Sequence, residues 1–517
     1  MSAPARQACV SCHSQKRKCG RQLPRCDLCQ KKGRACEYPP EALPDPPERR
    51  LPGDEFPALF FLDTWLFRNR GLAVPSARAN PPGHSHFQAL LAQESVLMLK
   101  GAAERYFAMV HPSFPVLSRL KINRYLDSPA GGTQADMALL LMAVRLLSLS
   151  VSPTSNQTPR DRESLPLYRR AKECYAALEM QGVITPVLLQ AVLLLAYWEV
   201  GHAVYPAAFL SVGLCARLGQ ALGIHKQRRE ATIPMYADPT SAIETEEQRR
   251  IWWGVVTLDR YVTAGMTGRS FACGDLQPED LLPMLERPWD LGEPSVAPSL
   301  AACGDASRPV SAFARTCQAA HLLSRVVHHV NEPPGDARVW YQDGMRLHYV
   351  VDAFSSGLAS ELAQPHLSMG GESPAYPALG LAYTAQVLLY DAHACANFDQ
   401  PSGVGTQEQL AMQEISLSGL RAVCPAVSRF ATTVRTASRS GDAMAMALSP
   451  LLMSCMYEAG KYCFWYYRET LRPELLAEVQ EIMHTLRMLA ETWPLAGQYV
   501  SILEGDEFCP DRNDERI

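Results

Sequence analysis

The sequence predicts a mostly α-helical protein with a small cysteine-rich head, a proline-rich linker and a large all-helical body. Three observations support this division. Six of the sixteen cysteines lie within residues 9–36, six prolines follow within residues 37–56, and apolar residues then recur with a helical period. At 517 residues the chain is too long for a single core. A hydrophobic fraction of 47% indicates that most of it folds.

The six clustered cysteines form an internal repeat in which the spacing C-x2-C-x6-C occurs twice. Three thiolates per repeat cannot complete a tetrahedral zinc site. Two Zn²⁺ ions need eight metal–ligand bonds, and six cysteines provide eight if two of them bridge both ions. The repeat symmetry assigns Cys9 and Cys26 as the bridges. The predicted zinc ligands are therefore Cys9, Cys12, Cys19, Cys26, Cys29 and Cys36.

The head and the body differ in charge, which the formal net charge of −4 conceals. Residues 1–36 carry nine Lys or Arg and one acid, whereas the remainder carries 40 basic and 52 acidic side chains. A small cationic head on an anionic body favours a nucleic-acid anchor whose body stays off the DNA.

Basic residues fill the interval between the second and third cysteines. Residues 13–18 read H-S-Q-K-R-K and predict a one-turn basic helix that ends beside the metal. Lys and Arg donate hydrogen bonds to guanine O6 and N7 in the major groove, and to phosphates. The second repeat has Gly33 where the first has Lys16, so its chemistry fits phosphate contact. The candidate DNA contacts are His13, Gln15, Lys16, Arg17, Lys18, Lys31 and Lys32.

The head resembles the binuclear zinc cluster of the fungal Zn₂Cys₆ transcription factors. The resemblance covers all six cysteines, Lys16, Lys18 and Pro24. It implies that Lys16 reaches the base edges of a CGG-like triplet in double-stranded DNA. Two other interpretations stay open: a zinc knot with a solvated basic face, and a protein-binding finger such as a RING or LIM domain.

The predicted organisation has four parts. Residues 1–38 form the DNA-binding domain, 39–57 the proline-rich linker, 58–505 the all-α domain and 506–517 a polar tail. The linker contains no apolar heptads that could form a dimerising coiled coil. We therefore expect either a DNA-binding monomer or a homodimer held together by the body.

Helical periodicity is clearest in six segments of the body, which are 97–110, 135–149, 165–180, 187–200, 208–222 and 245–263. In the last of these, Thr245 and Gln248 predict a capping box at the start of the helix. Asp259 lies on the same face as Trp252. It is either a ligand-binding or catalytic acid or, as favoured here, part of a buried structural ion pair with an Arg from elsewhere.

Several motifs resemble the fungal-specific regulatory or middle homology domain, over about residues 100–290. They are the Arg-Trp-Trp segment 245–260, Y-F-A-M-V-H-P-S-F-P-V-L at 106–117, L-Y-R-R-A at 167–171, G-L-C-A-R-L-G-Q-A-L-G-I-H at 213–225 and G-R-S at 268–270. The resemblance implies an all-α regulatory domain, and leaves open a small-molecule effector. Residues 276–295 have the composition of an exposed activation segment, whereas the resemblance predicts an ordered loop there.

The sequence thus predicts a nuclear, sequence-specific transcription factor rather than an enzyme. We expect it to engage the RNA polymerase II machinery, as an activator of a metabolic or secondary-metabolite gene cluster. No Gly-rich phosphate loop, H-E-x-x-H or G-x-S-x-G motif occurs, and we predict no catalytic residue and no membrane span. The alternative is an enzyme or metabolite-binding protein in which the cluster is only structural. Six thiolates in 517 residues are too few for a metal store.

Overall fold

The structure is a computed structural model, which describes residues 7–22, 24–38, 96–127, 134–151, 157–225, 241–266, 268–293, 295–300, 310–363, 374–394, 406–439 and 449–505. It divides into two compact units, residues 1–72 and 73–517, and each has its own core. Within the described ranges the secondary structure is helical, apart from an isolated bridge between Leu281 and Ser299. The predicted mostly α fold class is confirmed. The predicted linker 39–57 and tail 506–517 lie entirely outside these ranges.

The first unit contains two five-residue helices that follow equivalent cysteines of the repeat. Helix α1 spans Val10–Ser14 after Cys9, and α2 spans Asp27–Lys31 after Cys26. The prediction of a helix over residues 13–18 is wrong. Lys16 has a φ of +50°, which a right-handed helix cannot include, so the helix ends before the basic residues. The Lys and Arg side chains of this segment therefore follow the helix rather than form it.

The second unit is a set of packed α-helices joined by loops. Its helices are α3 (Val96–Met109), α4 (Arg119–Asp127), α5 (Ala135–Ser150), α6 (Gln157–Met180), α7 (Pro186–Gly201), α8 (Ala207–Leu222), α9 (Ala242–Thr263), α10 (Glu286–Leu291), α11 (Ala312–Asn331), α12 (Ala337–Leu362), α13 (Tyr376–Ala394), α14 (Gln407–Arg439), α15 (Met453–Thr470), α16 (Pro473–Ala490) and α17 (Pro494–Leu503). All six segments with helical periodicity are confirmed as helices.

Two apolar helices form the centres of the core. Every residue of α7 from Leu188 to Gly201 is buried, because α5, α8 and α9 pack around it. Helix α13 has the same role further along the chain, where α11, α12, α14 and α15 surround it. Residues 139–142 of α5 are also buried, as their apolar character on all sides of the helix predicts.

Helix α9 begins one turn earlier than the capping-box prediction. Its N-cap is Ser241, whose hydroxyl accepts a hydrogen bond from the Glu244 N–H at 3.2 Å. Thr245 is already inside the helix and donates its hydroxyl to the Ser241 carbonyl oxygen at 3.1 Å. The capping box over Thr245 and Gln248 is therefore wrong. Trp252 and Trp253 are buried in the core, and the Trp253 indole N–H donates to the Leu281 carbonyl oxygen at 2.9 Å.

Asp259 is a structural acid, and its partner is the adjacent Arg260 rather than an Arg from elsewhere. The Asp259 carboxylate lies 2.5 Å from Arg260 Nη1 and accepts hydrogen bonds from the N–H groups of Ala272 and Cys273 at 3.1 and 2.9 Å. The Arg260 guanidinium also donates to the carbonyl oxygens of Cys273 and Gly274. This buried pair therefore fastens the loop that follows the G-R-S motif to α9.

Residues 276–293 are ordered, as the family resemblance predicts, and do not form an exposed activation segment. Leu282, Met284 and Trp289 are buried. The fully buried Arg250 donates to the Met284 carbonyl oxygen at 2.6 Å and to Glu246 Oε1 at 2.8 Å, and stacks on the Trp289 ring. The acid-rich composition of this segment misled the prediction because its apolar residues pack inward.

Among the described helices, none combines the length and the apolar character needed to cross a membrane.

Candidate zinc and DNA-binding site

The six cysteines of the repeat converge on two sets of four sulfurs. Cys9 and Cys26 belong to both sets, Cys12 and Cys19 complete the first, and Cys29 and Cys36 complete the second. In each set, one ligand atom per residue lies within 4.8 Å of all the others. Three sulfur pairs that each lie within one set, Cys9–Cys26, Cys9–Cys29 and Cys12–Cys26, are 3.6–3.8 Å apart. Sulfurs bound at about 2.3 Å to a tetrahedral zinc ion lie about 3.8 Å apart. The sulfur set therefore fits zinc.

Backbone N–H groups stabilise the thiolates that zinc requires. The N–H of Cys29 donates to Cys26 Sγ at 3.4 Å, and that of Cys26 donates to Cys36 Sγ at 3.3 Å. Burial acts to raise the pKa of the Cys26 thiol, but hydrogen bonds from the Cys29 N–H and from the neighbouring thiols outweigh it and lower that pKa to about 6. Burial raises the pKa of Cys12. Bound zinc would keep all six sulfurs deprotonated.

The sequence repeat is also a repeat of backbone hydrogen bonds. In the first half, Cys9 O accepts from His13 N, His13 O from Lys16 N, and Cys12 O from Arg17 N. The second half has the same three bonds seventeen residues later, in the pairs Cys26–Gln30, Gln30–Gly33 and Cys29–Arg34. Each half is thus one short helix followed by one tight turn, held by its cysteines.

The two turns need the same unusual backbone conformation but meet it with different residues. Lys16 has a φ of +50° and its repeat partner Gly33 has a φ of +61°. Glycine adopts this left-handed conformation without steric cost, whereas a lysine does not. The first half therefore carries a strained Lys where the second half carries an unstrained Gly. Strain of this kind concentrates at functional positions.

All seven candidate DNA contacts are exposed. Five of them, His13, Gln15, Lys16, Arg17 and Lys18, follow one another around the first turn, and Lys31 and Lys32 lie at the second. Arg34 donates to the Gln15 side-chain oxygen, so one of the candidates also joins the two halves.

Sequence reasoning missed Tyr38 as part of this site. Its hydroxyl donates to the Gln22 carbonyl oxygen at 3.0 Å and lies 3.8 Å from Cys19 Sγ. The Val10 N–H donates to the Glu37 carbonyl oxygen at 2.9 Å, which brings the end of the repeat back to its start. An aromatic residue two positions after the last cysteine is the signal that could have found it.

Known families match both units of the chain. Residues 7–43 match the fungal Zn(2)-Cys(6) binuclear cluster domain, and residues 103–284 match the fungal specific transcription factor domain. The chain therefore carries the two domains of the fungal Zn₂Cys₆ transcription factors, which confirms both resemblances. The second match ends before α10, so helices α10–α17 lie beyond it.

Curated relatives are named as transcription factors. Transcription factor BOA15 of Botryotinia fuckeliana is 45% identical over 123 residues, which cover 24% of this chain and 65% of the relative. Transcription factor tazR of Aspergillus terreus is 29% identical over 169 residues, 32% of this chain and 26% of the relative. The citrinin biosynthesis transcriptional activator mrl3 of Monascus ruber is 24% identical over 306 residues, 50% of this chain and 59% of the relative. Each match thus covers less than two thirds of the relative's own length.

Proposed function

We propose that this protein is a nuclear transcription factor that binds two Zn²⁺ ions in its head and reads CGG-like half-sites in double-stranded DNA. The binding of two zinc ions is supported by the two four-sulfur sets, which share Cys9 and Cys26. Four terminal and two bridging thiolates satisfy two tetrahedral ions. The shared sulfurs thus support the bridging roles assigned from the repeat.

The strained Lys16 supports the DNA-reading part of the proposal. Its turn is exposed, next to the zinc ligands, and flanked by Arg17 and Lys18, so a lysine at its tip can enter the major groove while its neighbours bind phosphates. Gly33 offers no side chain to the DNA. In the second half, Lys31 and Lys32 bind the backbone of the duplex.

The all-α unit is the regulatory part in this proposal, and the proposed target is a biosynthetic gene cluster transcribed by RNA polymerase II. Support comes from mrl3, whose name describes a biosynthesis activator and whose match covers half of this chain. A cleft of about 750 Å³ lies between α12, α13 and α14, and Tyr383, Gln386 and Arg429 are among the residues that line it. We propose this cleft as the binding site of a small-molecule effector. A homodimer through this unit also stays a prediction. The alternative, an enzyme or metabolite-binding protein in which the zinc cluster is only structural, is not supported by the names of these relatives.

The proposal is tested by the salt dependence of DNA binding. The zinc-loaded full chain is titrated against a duplex with a CGG triplet and one with that triplet scrambled, by fluorescence anisotropy at several salt concentrations. We expect tighter binding to the CGG duplex. We also expect log K to fall with log salt by about 0.9 for each phosphate neutralised. A flat salt dependence with equal affinity for both duplexes would contradict the proposal.

A further inference from the structure

The cleft between α12, α13 and α14 is lined by small side chains on two of its three helices. Ser356, Ala359 and Ser360 line it on α12, and Ala422 and Ala426 line it on α14. Its volume of about 750 Å³ falls within the range of about 300–1,000 Å³ that is usual for small-molecule sites. Because these small side chains leave the space open, the larger polar groups around it determine which ligand fits.

Tyr383, on α13, presents a hydroxyl group without a partner to this cleft. The residue is 5% exposed and lines the cleft, and its hydroxyl is open to solvent but forms no hydrogen bond with the described residues. Burial raises the pKa of this hydroxyl to about 12, so it is protonated at neutral pH and donates a hydrogen bond. A ligand with an acceptor at this point would satisfy it.

Arg429, on α14, brings a positive charge to the same end of the cleft. The ring of the next residue, Phe430, lies 5.9 Å from the ring of Tyr383. The Arg429 guanidinium lines the cleft and forms no hydrogen bond or ion pair with the described residues. Its charge opposes the rise that burial causes in the pKa of Glu478, but the two side chains are not paired. A guanidinium and a hydroxyl that both lack a partner are suited to a carboxylate.

Hydrogen-bond acceptors line the cleft away from Arg429. The Asp352 carboxylate, on α12, accepts a hydrogen bond from Gln386 Nε2 at 3.2 Å and keeps further lone pairs. Glu414 lies fifteen residues before Arg429 on α14, about 22 Å along the helix axis. These two carboxylates repel a second anion but accept a hydrogen bond from a ligand hydroxyl.

We propose that this cleft binds an elongated organic acid, with its carboxylate on Tyr383 and Arg429 and a hydroxyl group at the end lined by Tyr390. This inference rests on the proposed effector role of the cleft and specifies the chemistry of its ligand. Seven residues of α13 separate Tyr383 from Tyr390, so the two groups of the ligand should be about 10 Å apart. Ile415 and Val423, on α14, offer apolar contacts to the body of the ligand.

The test is isothermal titration calorimetry of the zinc-loaded full chain at neutral pH. The probe is para-hydroxybiphenyl-para-carboxylic acid, a rigid molecule with its hydroxyl and carboxyl groups at opposite ends. We expect one molecule of this acid to bind per chain. Its methyl ester should bind about 10- to 100-fold more weakly, because it loses the charge-assisted hydrogen bonds of the carboxylate. The corresponding dicarboxylic acid should also bind more weakly, since its second carboxylate meets Asp352 and Glu414.

Two variants test the contacts of the carboxylate. Arg429→Gln should weaken binding of the acid about 10- to 100-fold and leave that of the methyl ester nearly unchanged. Tyr383→Phe should weaken binding of the acid about 10-fold. Arg346→Gln is the matched control, because Arg346 is exposed on α12 outside the cleft, and it should bind the acid like the parent chain. No binding of the acid by the parent chain, or equal binding by the parent and Arg429→Gln, would overturn the inference.

Ala422→Trp separates the ligand class from the cleft itself. Ala422 is exposed on the cleft wall, so a Trp there fills the cleft without entering the core, and should abolish binding of the acid. If the parent binds acid and ester equally and Ala422→Trp binds neither, the cleft is a ligand site but not one for organic acids. Acid binding that survives in Ala422→Trp would contradict both the inference and the proposed effector site.

Discussion

At the scale of single residues, Lys16 and Gly33 are a clear difference between two otherwise equivalent halves of the cysteine repeat. The two residues occupy equivalent turns, with φ values of +50° and +61°. Only the strained one has a side chain that can reach a base. We infer that the turn conformation follows from the zinc ligands and that the lysine is kept there for DNA.

Lys16→Gly should therefore stabilise the zinc unit and weaken its function. Lys16→Gly relieves the strain of the left-handed backbone. The free energy of removing zinc with a chelator should therefore rise by about 1 kcal/mol. Loss of the base contact should weaken binding to a CGG duplex by about 1–3 kcal/mol. Gly33→Ala is the control. It places a Cβ atom on a residue with a φ of +61°, so this variant should release zinc more easily than the parent chain. A Lys16→Gly protein that loses zinc faster than the parent would show that the turn is not strained.

The bridging assignment makes a separate prediction for metal content. Cys26→Ser should lower the zinc content from two ions per chain to none, because Cys26 belongs to both four-sulfur sets. Cys12→Ser removes a ligand from one set only and should leave at least one ion bound. Both contents are measured by elemental analysis of the desalted protein. One ion retained by Cys26→Ser would mean two independent sites.

The sequence was sufficient to propose the zinc ligands, since ligand number and spacing are written in it directly. It was not sufficient for the position of α1 or the strain at Lys16. A run of Lys and Arg favours a helix locally, whereas the closure of cysteine sulfurs around a common centre forces a turn. Tyr38 was missed for a similar reason, because its contact with Cys19 exists only after the chain has folded back.

At the scale of elements, α9 is the piece that organises the loops around it. Glu246 and Arg250 hold the segment near Met284, and Asp259 and Arg260 hold the loop at residues 272–274. Periodicity predicted the helix, but its start was placed one turn late. The extra turn follows from the Ser241 cap, whose hydroxyl accepts a hydrogen bond from the Glu244 N–H. Ser241 and Glu244 have the spacing of a capping box, so this start could have been predicted from the sequence.

The cap of α9 can be tested with two alanine variants. Ser241→Ala removes the hydroxyl that accepts from the Glu244 N–H, and should lower the free energy of unfolding by about 1 kcal/mol. Thr245→Ala, at the position first predicted to be the cap, should have a clearly smaller effect. Urea unfolding followed by circular dichroism measures both. Equal losses would restore Thr245 as a cap.

The assignment of Asp259 as structural also has a direct test. Asp259→Ala leaves the fully buried Arg260 guanidinium without its counter-ion, which should destabilise the second unit by about 3–5 kcal/mol. Asp275→Asn is the control, because that side chain is 68% exposed. Urea unfolding compares the two. A stable Asp259→Ala protein would reopen the interpretation of Asp259 as a ligand-binding acid.

At the scale of the whole molecule, stability should depend on pH through His202. This side chain stacks on Trp198 and donates through Nδ1 to the Trp198 carbonyl oxygen at 2.9 Å. Burial lowers its pKa to about 4, against about 6.5 in an unfolded chain. The unfolded state therefore binds the extra proton first. His202 contributes stability above pH 6.5, and this contribution is lost as the pH falls towards about 4.

Thermal unfolding measured between pH 7 and 4 should show this loss, with a slope of at most about 1.4 kcal/mol per pH unit from this residue. His202→Gln should flatten the dependence, whereas His484→Gln should not, because His484 is 54% exposed. An unchanged pH profile for His202→Gln would mean that other groups control acid unfolding.

The charge asymmetry of the molecule was readable from the sequence, and so was its division into a basic head and an acidic helical body. The boundaries of the four predicted parts stay predictions, as do nuclear localisation and oligomeric state. The cleft lined by Tyr383 and Arg429 was not readable, because residues of three separate helices form it. Only the packing of α12–α14 brings them together.

We infer that this chain reads DNA through the turn at Lys16, beside two zinc ions. Selection of bound duplexes from a random-sequence pool, by the zinc-loaded full chain and by its Lys16→Ala variant, tests it most directly. The parent should enrich CGG-like triplets, with a spacing that reveals whether one or two heads bind. Lys16→Ala should retain zinc and enrich no such triplet. The same enriched triplet from both proteins, or none from the parent, would contradict the claim.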